Sequence, residues 1–168
     1  NAYYVTKGKY QGIYNLYGSV IIPTQYTSIY KEGGKYLVEN DSLKGIVNAY
    51  GSTVIPCKYN TIEYEDGVYY VSANGKKGIF NRYGSTIIPC QYDEIISLGH
   101  RYIVKRDKKF GVYNQYGSTI LPCQFQKIEC LNNGHYVTTR DKSQQVYNAY
   151  GALLENRTNM KVVFSTED

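Results

Sequence analysis

The dipeptide Tyr-Gly returns at Tyr17-Gly18, Tyr50-Gly51, Tyr83-Gly84, Tyr116-Gly117 and Tyr150-Gly151, in steps of 33, 33, 33 and 34 residues. A near-constant step of this size marks a repeat architecture, in which a unit too small to bury its own apolar face stacks on copies of itself. Around each pair a longer block recurs, clearest where Lys77-Gly78-Ile79-Phe80-Asn81 leads through Tyr83-Gly84 to Ile87-Ile88-Pro89-Cys90-Gln91-Tyr92. With Tyr3, Tyr36, Tyr69, Tyr102 and Tyr136 as the phase marker, the chain reads as a single repeat domain of five units: 1–35, 36–68, 69–101, 102–135 and 136–168. The one extra residue falls between Phe125 and Tyr136, in the loop Leu131-Asn132-Asn133-Gly134-His135. Loops absorb insertions that strands do not.

The local signals are those of strands. Tyrosine supplies 21 residues against 4 Phe and no Trp, and Tyr with β-branched residues favours pleated over helical backbone. Each unit is expected to hold three short strands. The first alternates, as in Tyr69-Tyr70-Val71-Ser72; the second is Gly78-Ile79-Phe80 and its counterparts; the third carries the apolar run that ends in Pro23, Pro56, Pro89 or Pro122. Asn74-Gly75 is a strong signal for a two-residue hairpin turn between the first two strands. Between the second and third, Asn-x-Tyr-Gly stands in all five units, with Asn15, Asn48, Asn81, Asn114 and Asn148 placed to bond backbone N–H groups two residues on. Proline has no N–H to give a ladder, so those four residues are expected at a bulge or an edge. In the fifth unit Asn156 replaces the proline, and the stretch 152–168 reads as a degenerate cap.

Together these residues resemble the WG-repeat family (KWG repeats) of bacterial proteins. The match runs from Gly75-Lys76-Lys77-Gly78-Ile79-Phe80-Asn81 through Ile88-Pro89-Cys90-Gln91-Tyr92-Asp93-Glu94-Ile95 and covers nearly the whole chain. The signature Trp is replaced in every unit, by Gln11, Lys44, Lys77, Phe110 and Gln144, so this position is expected to reach solvent. The resemblance implies a non-catalytic interaction module and brings no catalytic residue with it.

The chain offers little for chemistry. Two histidines, His100 and His135, lie in loops that end units, and no third ligand recurs with them. Ser19, Ser52, Ser85 and Ser118 come directly after the turn glycine, where hairpin geometry accounts for them, and neither nucleophile-elbow nor phosphate-loop patterns occur. Cys57, Cys90 and Cys123 stand after the repeat proline at a spacing that forms no metal knuckle, and equivalent atoms of successive units lie beyond disulfide reach. They are expected as small buried hydrophobes, with a bridge between Cys123 and Cys130 across a bend as the alternative. No cofactor and no metal is expected.

Binding is the remaining class. The formal charge of +5 divides over the five units as +3, −3, +2, +3 and 0, which decorates a scaffold rather than forming a basic stripe, so nucleic acid is not the expected partner. A basic cluster, Lys105-Arg106-Asp107-Lys108-Lys109, sits in one hairpin turn, with Lys108 and Lys109 as its phosphate candidates. Segments 31–34, 63–67, 96–101 and 129–135 vary between units and are expected to carry specificity, through Glu63, Glu65, Asp66, His100 and Arg101 among others. The turn tyrosines Tyr17, Tyr50, Tyr83, Tyr116 and Tyr150 are larger than the turn requires. Either they pack onto the neighbouring unit, the leading reading, or they form an exposed aromatic ladder suited to protein or sugar recognition.

The expected protein is therefore all-β, an open superhelical or spiral array of five three-stranded units, with a closed five-bladed propeller-like ring as the alternative. Its expected role is a non-catalytic binding or scaffold module that mediates protein–protein interaction within a larger bacterial protein; the alternative is a carbohydrate or cell-surface binder. No membrane insertion is expected, since the chain lacks a long apolar run. Unpaired thiols lean towards a reducing, cytoplasmic setting, and a start at Asn1 suggests a fragment from which any leader has been removed.

Overall fold

The computed structural model describes residues 2–157, a succession of short strands joined by tight turns and bends. The strands are β1 (Ala2–Lys7), β2 (Tyr10–Asn15), β3 (Val20–Tyr26), β4 (Ser28–Glu32), β5 (Lys35–Asn40), β6 (Leu43–Asn48), β7 (Thr53–Tyr59), β8 (Thr61–Glu65), β9 (Val68–Ala73) and β10 (Lys76–Asn81). They continue as β11 (Thr86–Tyr92), β12 (Glu94–Ser97), β13 (Arg101–Arg106), β14 (Lys109–Asn114), β15 (Thr119–Phe125), β16 (Lys127–Cys130), β17 (Tyr136–Arg140), β18 (Ser143–Tyr147) and β19 (Leu153–Arg157). These form five antiparallel meanders in chain order: β1–β3, then β4–β7, β8–β11, β12–β15 and β16–β19. Among the described residues no sheet closes into a barrel. The chain divides into two compact units, residues 1–91 and residues 92–168.

Three strands per unit is the count in the first sheet alone. In the other four the stretch expected to be partly linker supplies a fourth strand, β4, β8, β12 or β16, which pairs with the next strand in the chain. The frame shifts accordingly, each four-stranded sheet opening eight or nine residues before its phase-marker tyrosine. Four strands fit into 33 residues because the hairpins are tight. At Asp41-Ser42, Asp66-Gly67, Asn74-Gly75, Asp107-Lys108 and Asp141-Lys142 both central residues have positive φ, the mirror-image turn whose twist suits a two-residue hairpin.

At Lys108, with φ of 62°, an L side chain sits where glycine is at ease. Lys108→Gly is expected to raise stability by about 1 kcal/mol, read as a higher urea midpoint at unchanged slope. A lower midpoint would show that the lysine side chain contributes to the fold.

Successive sheets pack face to face within each compact unit. In the first, one core joins Ile13 and Ile22 to Ile29, Tyr36, Val38 and Val47 of the next sheet. A second joins Ile46, Ile55 and Tyr59 to Tyr69, Val71 and Phe80, with the Tyr59 and Phe80 rings edge to face at 5.7 Å. Ile46 and Val47 are adjacent yet belong to different cores, because successive strand residues point to opposite faces. In the second unit Val112, Leu121 and Phe125 meet Tyr136, and Phe125 lies edge to face with Tyr147 at 5.7 Å. Stacking thus supplies the core that no single sheet could make.

The proline sits at a bulge, as its chemistry requires. Ile22 pairs with Ile13 and Tyr26 with Gln11, so four residues of β3 span two of β2, and the same slip recurs in β7 and β15. The bulge presses on the glycine opposite. A Cβ on Gly45 would lie 2.7 Å from the Cys57 Cα, and one on Gly78 would lie 2.7 Å from the Cys90 Cα. The fifth sheet has Gln145 and Asn156 in place of glycine and proline, and there the register is continuous: Gln144 pairs with Arg157, Gln145 with Asn156 and Val146 with Glu155. The expected decay after Gly151 is, up to residue 157, the loss of a bulge and not of the strand; the rest of the expected cap, residues 158–168, lies outside the described residues.

Candidate functional site

The Asn-x-Tyr-Gly turns are built alike in all five units. Asn15 Oδ1 accepts from the N–H of both Tyr17 and Ser19 at 2.9 Å, and Asn48, Asn81, Asn114 and Asn148 repeat the pattern. The Asn side chain and the left-handed glycine therefore hold the turn between them. The tyrosine between them adds nothing to this geometry.

Nor do the tyrosines pack on a neighbour, the leading reading of the sequence. They are 79–93% exposed, so the exposed alternative holds for each one. The residue that touches the neighbour is the adjacent glycine. A Cβ on Gly51 would lie 2.0 Å from the Ile21 carbonyl oxygen, on Gly84 2.0 Å from that of Val54, and on Gly151 2.2 Å from that of Ile120. With backbone seated directly on the preceding sheet, a side chain one residue earlier is carried outward into solvent.

Meander topology sorts the remaining candidates. In a sheet of four strands the first and third turns share one end and the second turn lies at the other. The turn tyrosines thus share an end with the variable hairpins at 31–34, 63–67, 96–101 and 129–135. In the first compact unit this end gathers Tyr17, Tyr50 and Tyr83 with Glu63, Glu65 and Asp66, all exposed. In the second it gathers Tyr116 and Tyr150 with His100 and Arg101. Lys108 and Lys109 lie at the opposite end of their sheet and join no candidate.

Each compact unit has a cavity at this end. In the first, about 220 Å³ is enclosed by Lys35, Leu37, Tyr64, Tyr69 and Arg82 together with the turn at Gly33. In the second, a wider space of about 350 Å³ lies among His100, Gln115, Tyr116, Ser118 and Tyr150. His100 Nδ1 is 2.7 Å from Gln115 Oε1, which fixes the imidazole on the rim.

Arg101 has a structural task that sequence reading missed. Its Nη1 donates to the Gly134 carbonyl at 3.0 Å, and its guanidinium lies 5.3 Å from the centre of the Tyr136 ring. In the first compact unit Lys35 does the same: its ammonium lies 5.0 Å from the Tyr69 ring centre and donates to the Tyr69 hydroxyl at 2.9 Å and the Arg82 carbonyl at 2.6 Å. The cation at the start of one sheet's second strand thus clamps the phase-marker tyrosine of the next. A Lys or Arg 34 or 35 residues before that tyrosine was the available signal.

The cysteines are free; Cys57, Cys90 and Cys123 are half-buried rather than fully buried. Each thiol donates to a carbonyl at the start of the neighbouring strand, Leu43 at 3.0 Å, Lys76 at 3.2 Å and Lys109 at 3.0 Å. Burial pushes all three thiol pKa values up, so at neutral pH they are protonated donors. At the position of the family's Trp, Lys77 and Gln144 are exposed while Gln11, Lys44 and Phe110 are half-buried. Gln11 Oε1 accepts from the Ile29 N–H at 3.2 Å, so polarity there serves a sheet-to-sheet contact. Among the described residues no group of three His, Cys, Asp or Glu side chains is placed to hold a metal ion, and no helix is long and apolar enough to cross a membrane.

Comparison with known proteins separates fold from family. No curated protein matches the sequence significantly. Among solved structures, Hsv2 of Kluyveromyces lactis is similar at a TM-score of 0.36 and 12% identity, over 92% of this chain and 59% of that one. PorZ, a surface component of the type-IX secretion system of Porphyromonas gingivalis, is similar at a TM-score of 0.30 and 8% identity, over 90% of this chain and 25% of that one. The chain spans about three fifths of the length of the Hsv2 structure. Likeness this faint decides nothing about function. The sequence itself matches the WG containing repeat three times in tandem, at residues 45–76, 78–109 and 110–140. These matches cover more than half of its 168 residues, and the chain belongs to the WG containing repeat family.

Proposed function

We propose that this chain is a non-catalytic binding module whose ligand is a protein, engaged by the tyrosine-bearing end of its sheets. One observation carries the reading: five tyrosines are held at turn tips, 79–93% exposed, in turns whose geometry is complete without them. Tyrosine offers a large contact area with few rotors to freeze, which suits recognition by a rigid scaffold. The hairpins beside them differ in charge and length from unit to unit, so a common aromatic contact is flanked by variable specificity. Glu63, Glu65 and Asp66 around the exposed Tyr64 give one such hairpin an acidic character.

The test is capture of a partner from a lysate of the source organism, then affinity measurement with purified partner and variants. Tyr50→Ala combined with Tyr83→Ala is expected to weaken binding at least tenfold while the unfolding free energy stays within about 0.5 kcal/mol, as for surface changes remote from packing. Exchange of segment 63–67 for 31–34 is expected to change which partner is held. Undiminished binding after all five turn tyrosines become alanine would overturn the reading. A second reading, carbohydrate binding, is favoured by the space between Tyr116 and Tyr150 with His100 and Gln115 on its rim. A glycan array separates the two: glycan binding lost in Tyr116→Ala, with no protein partner, would replace the first reading with the second.

A further inference from the structure

The cavity of about 220 Å³ between the second and third sheets lies wholly within the first compact unit. Lys35 and Leu37 stand two apart on β5, so both point to the face that meets the next sheet, and Ile46 of β6 pairs with Leu37. On the facing sheet Tyr64 pairs with Tyr69, their ring centres 4.6 Å apart. Tyr69 is buried, while Tyr64 is 51% exposed and leaves part of its ring uncovered. Arg82, in the turn after β10, joins them in the lining.

The repeat supplies its own comparison. The residue opposite the phase-marker tyrosine is Lys31, Tyr64, Ser97 or Cys130, so an aromatic stands there once. The second residue of the Asn-x-Tyr-Gly turn is Leu16, Ala49, Arg82, Gln115 or Ala149, so a cation stands there once. The strand residue paired with the turn asparagine is Ala2, Lys35, Val68 or Arg101. The second compact unit has Arg101 but Cys130 and Ala149 at the other two places. Among the described residues, the two cations and the exposed tyrosine therefore coincide at this cavity alone. None of the three is needed to build a sheet, since other sheets form with Val68, Ser97 and Gln115 there.

Lys35 donates to the Tyr69 hydroxyl at 2.9 Å and the Arg82 carbonyl at 2.6 Å, which engages two of its three N–H groups with neutral acceptors. Among the described residues neither Lys35 nor Arg82 forms an ion pair. Glu32 also lines the cavity, and two cations against one carboxylate leave a formal charge of +1. We propose that this cavity is a binding site for a small monocarboxylate with an apolar, preferably aromatic, body. The carboxylate takes the remaining Lys35 N–H and Arg82, while the body lies on Leu37 and Ile46 and stacks on Tyr64. An apolar lining with a few convergent polar groups is the usual make-up of a small-molecule site. A phosphate monoester fits worse, because its second charge exceeds that of the lining and it leaves the apolar floor wet. The volume is that of about seven waters of liquid, which suits a ligand of roughly ten non-hydrogen atoms, since bonded atoms pack more closely. A free acid and the C-terminal residue of a peptide share this chemistry. The site stands whether or not the turn tyrosines hold a protein, because it recognises charge and volume inside the cavity.

The probe is hydrocinnamate, titrated into the isotope-labelled full chain beside its primary amide, which has the same shape without the charge. The acid is expected to bind with a dissociation constant below about 1 mM and to shift the amides of Lys35, Leu37, Ile46 and Tyr64 before others. The amide is expected to bind at least about tenfold more weakly. Arg82→Gln and Tyr64→Ser install residues that the repeat already carries at those places, Gln115 and Ser97. Each is expected to weaken the acid at least about fivefold at an unchanged melting temperature. No binding of the acid at about 10 mM, equal binding of the amide, or shifts that avoid the cavity would overturn the proposal. None of these results bears on protein capture by the turn tyrosines. Acetyl-Gly-Gly-Phe with a free C-terminus is the second probe. Binding tighter than that of hydrocinnamate assigns the carboxylate to a polypeptide terminus, and weaker binding assigns it to a small molecule.

Discussion

Gly84→Ala is expected to lower stability by about 3–5 kcal/mol, whereas Gly18→Ala, at the equivalent turn of the first sheet, is expected to lower it by only about 1–2 kcal/mol. Both glycines are left-handed, at φ of 91° and 80°, so both substitutions incur the same backbone strain. Their surroundings differ. A Cβ on Gly84 would stand 2.0 Å from the Val54 carbonyl oxygen, a backbone atom of the packed sheet before it, while nothing lies within 4 Å of one on Gly18. The difference between the two losses therefore isolates the sheet-to-sheet contact from the turn. Thermal unfolding of the two variants beside the parent gives it directly. Equal losses would mean that the glycine serves the turn alone.

Gly78→Ala is the second large effect, again about 3–5 kcal/mol of lost stability, from a residue with ordinary strand backbone. In a regular strand, alanine is favoured over glycine by about 0.5–1 kcal/mol, so the expected sign is reversed. The cause is the bulge after Pro89, which brings the Cys90 N and Cα to within 2.8 Å of where the Cβ would stand. Both are backbone atoms and neither can rotate away. The fifth sheet provides the comparison: at Gln145 no bulge faces the strand, and Gln145→Ala, which gives up a hydrogen bond to Asn156 at 2.8 Å and one from the Tyr147 hydroxyl at 2.9 Å, is expected to lower stability by only about 1 kcal/mol. Urea unfolding of the two variants decides it. A stable Gly78→Ala protein would show that the bulge can relax.

The sequence carried the repeat, the turns and the bulges because each depends on residues with singular backbone behaviour. Asn81, Gly84 and Pro89 announce what they do wherever they recur. The outer strands were harder to see. Ser28–Glu32 and Lys127–Cys130 are four or five residues long, mostly exposed, and paired with the strand after them rather than the strand before. Their apolar signal reduces to one isoleucine each.

At the candidate site the residues were legible but their orientations were not. A recurring Tyr at a turn is as consistent with packing as with exposure until the backbone fixes where Gly84 rests. Arg101 looked like a free cation in a variable loop. Its partner, Tyr136, lies 35 residues on, where only the stacking of sheets brings it near.

The contact beneath each of these turns runs one way. Gly51 rests on Ile21 and Gly84 on Val54, each 30 residues upstream, and Gly151 on Ile120, 31 upstream once the extra loop residue is counted. Within a compact unit a sheet offers a seat to its successor, sets a foot on its predecessor, or does both. Such a chain has a reading direction, like a sentence. A whole period can be duplicated or deleted in frame and every seat still finds a foot. A break out of frame strands two turns at once. Within a compact unit one period is thus the natural step of change in length, and the variable hairpins ride along as interchangeable words.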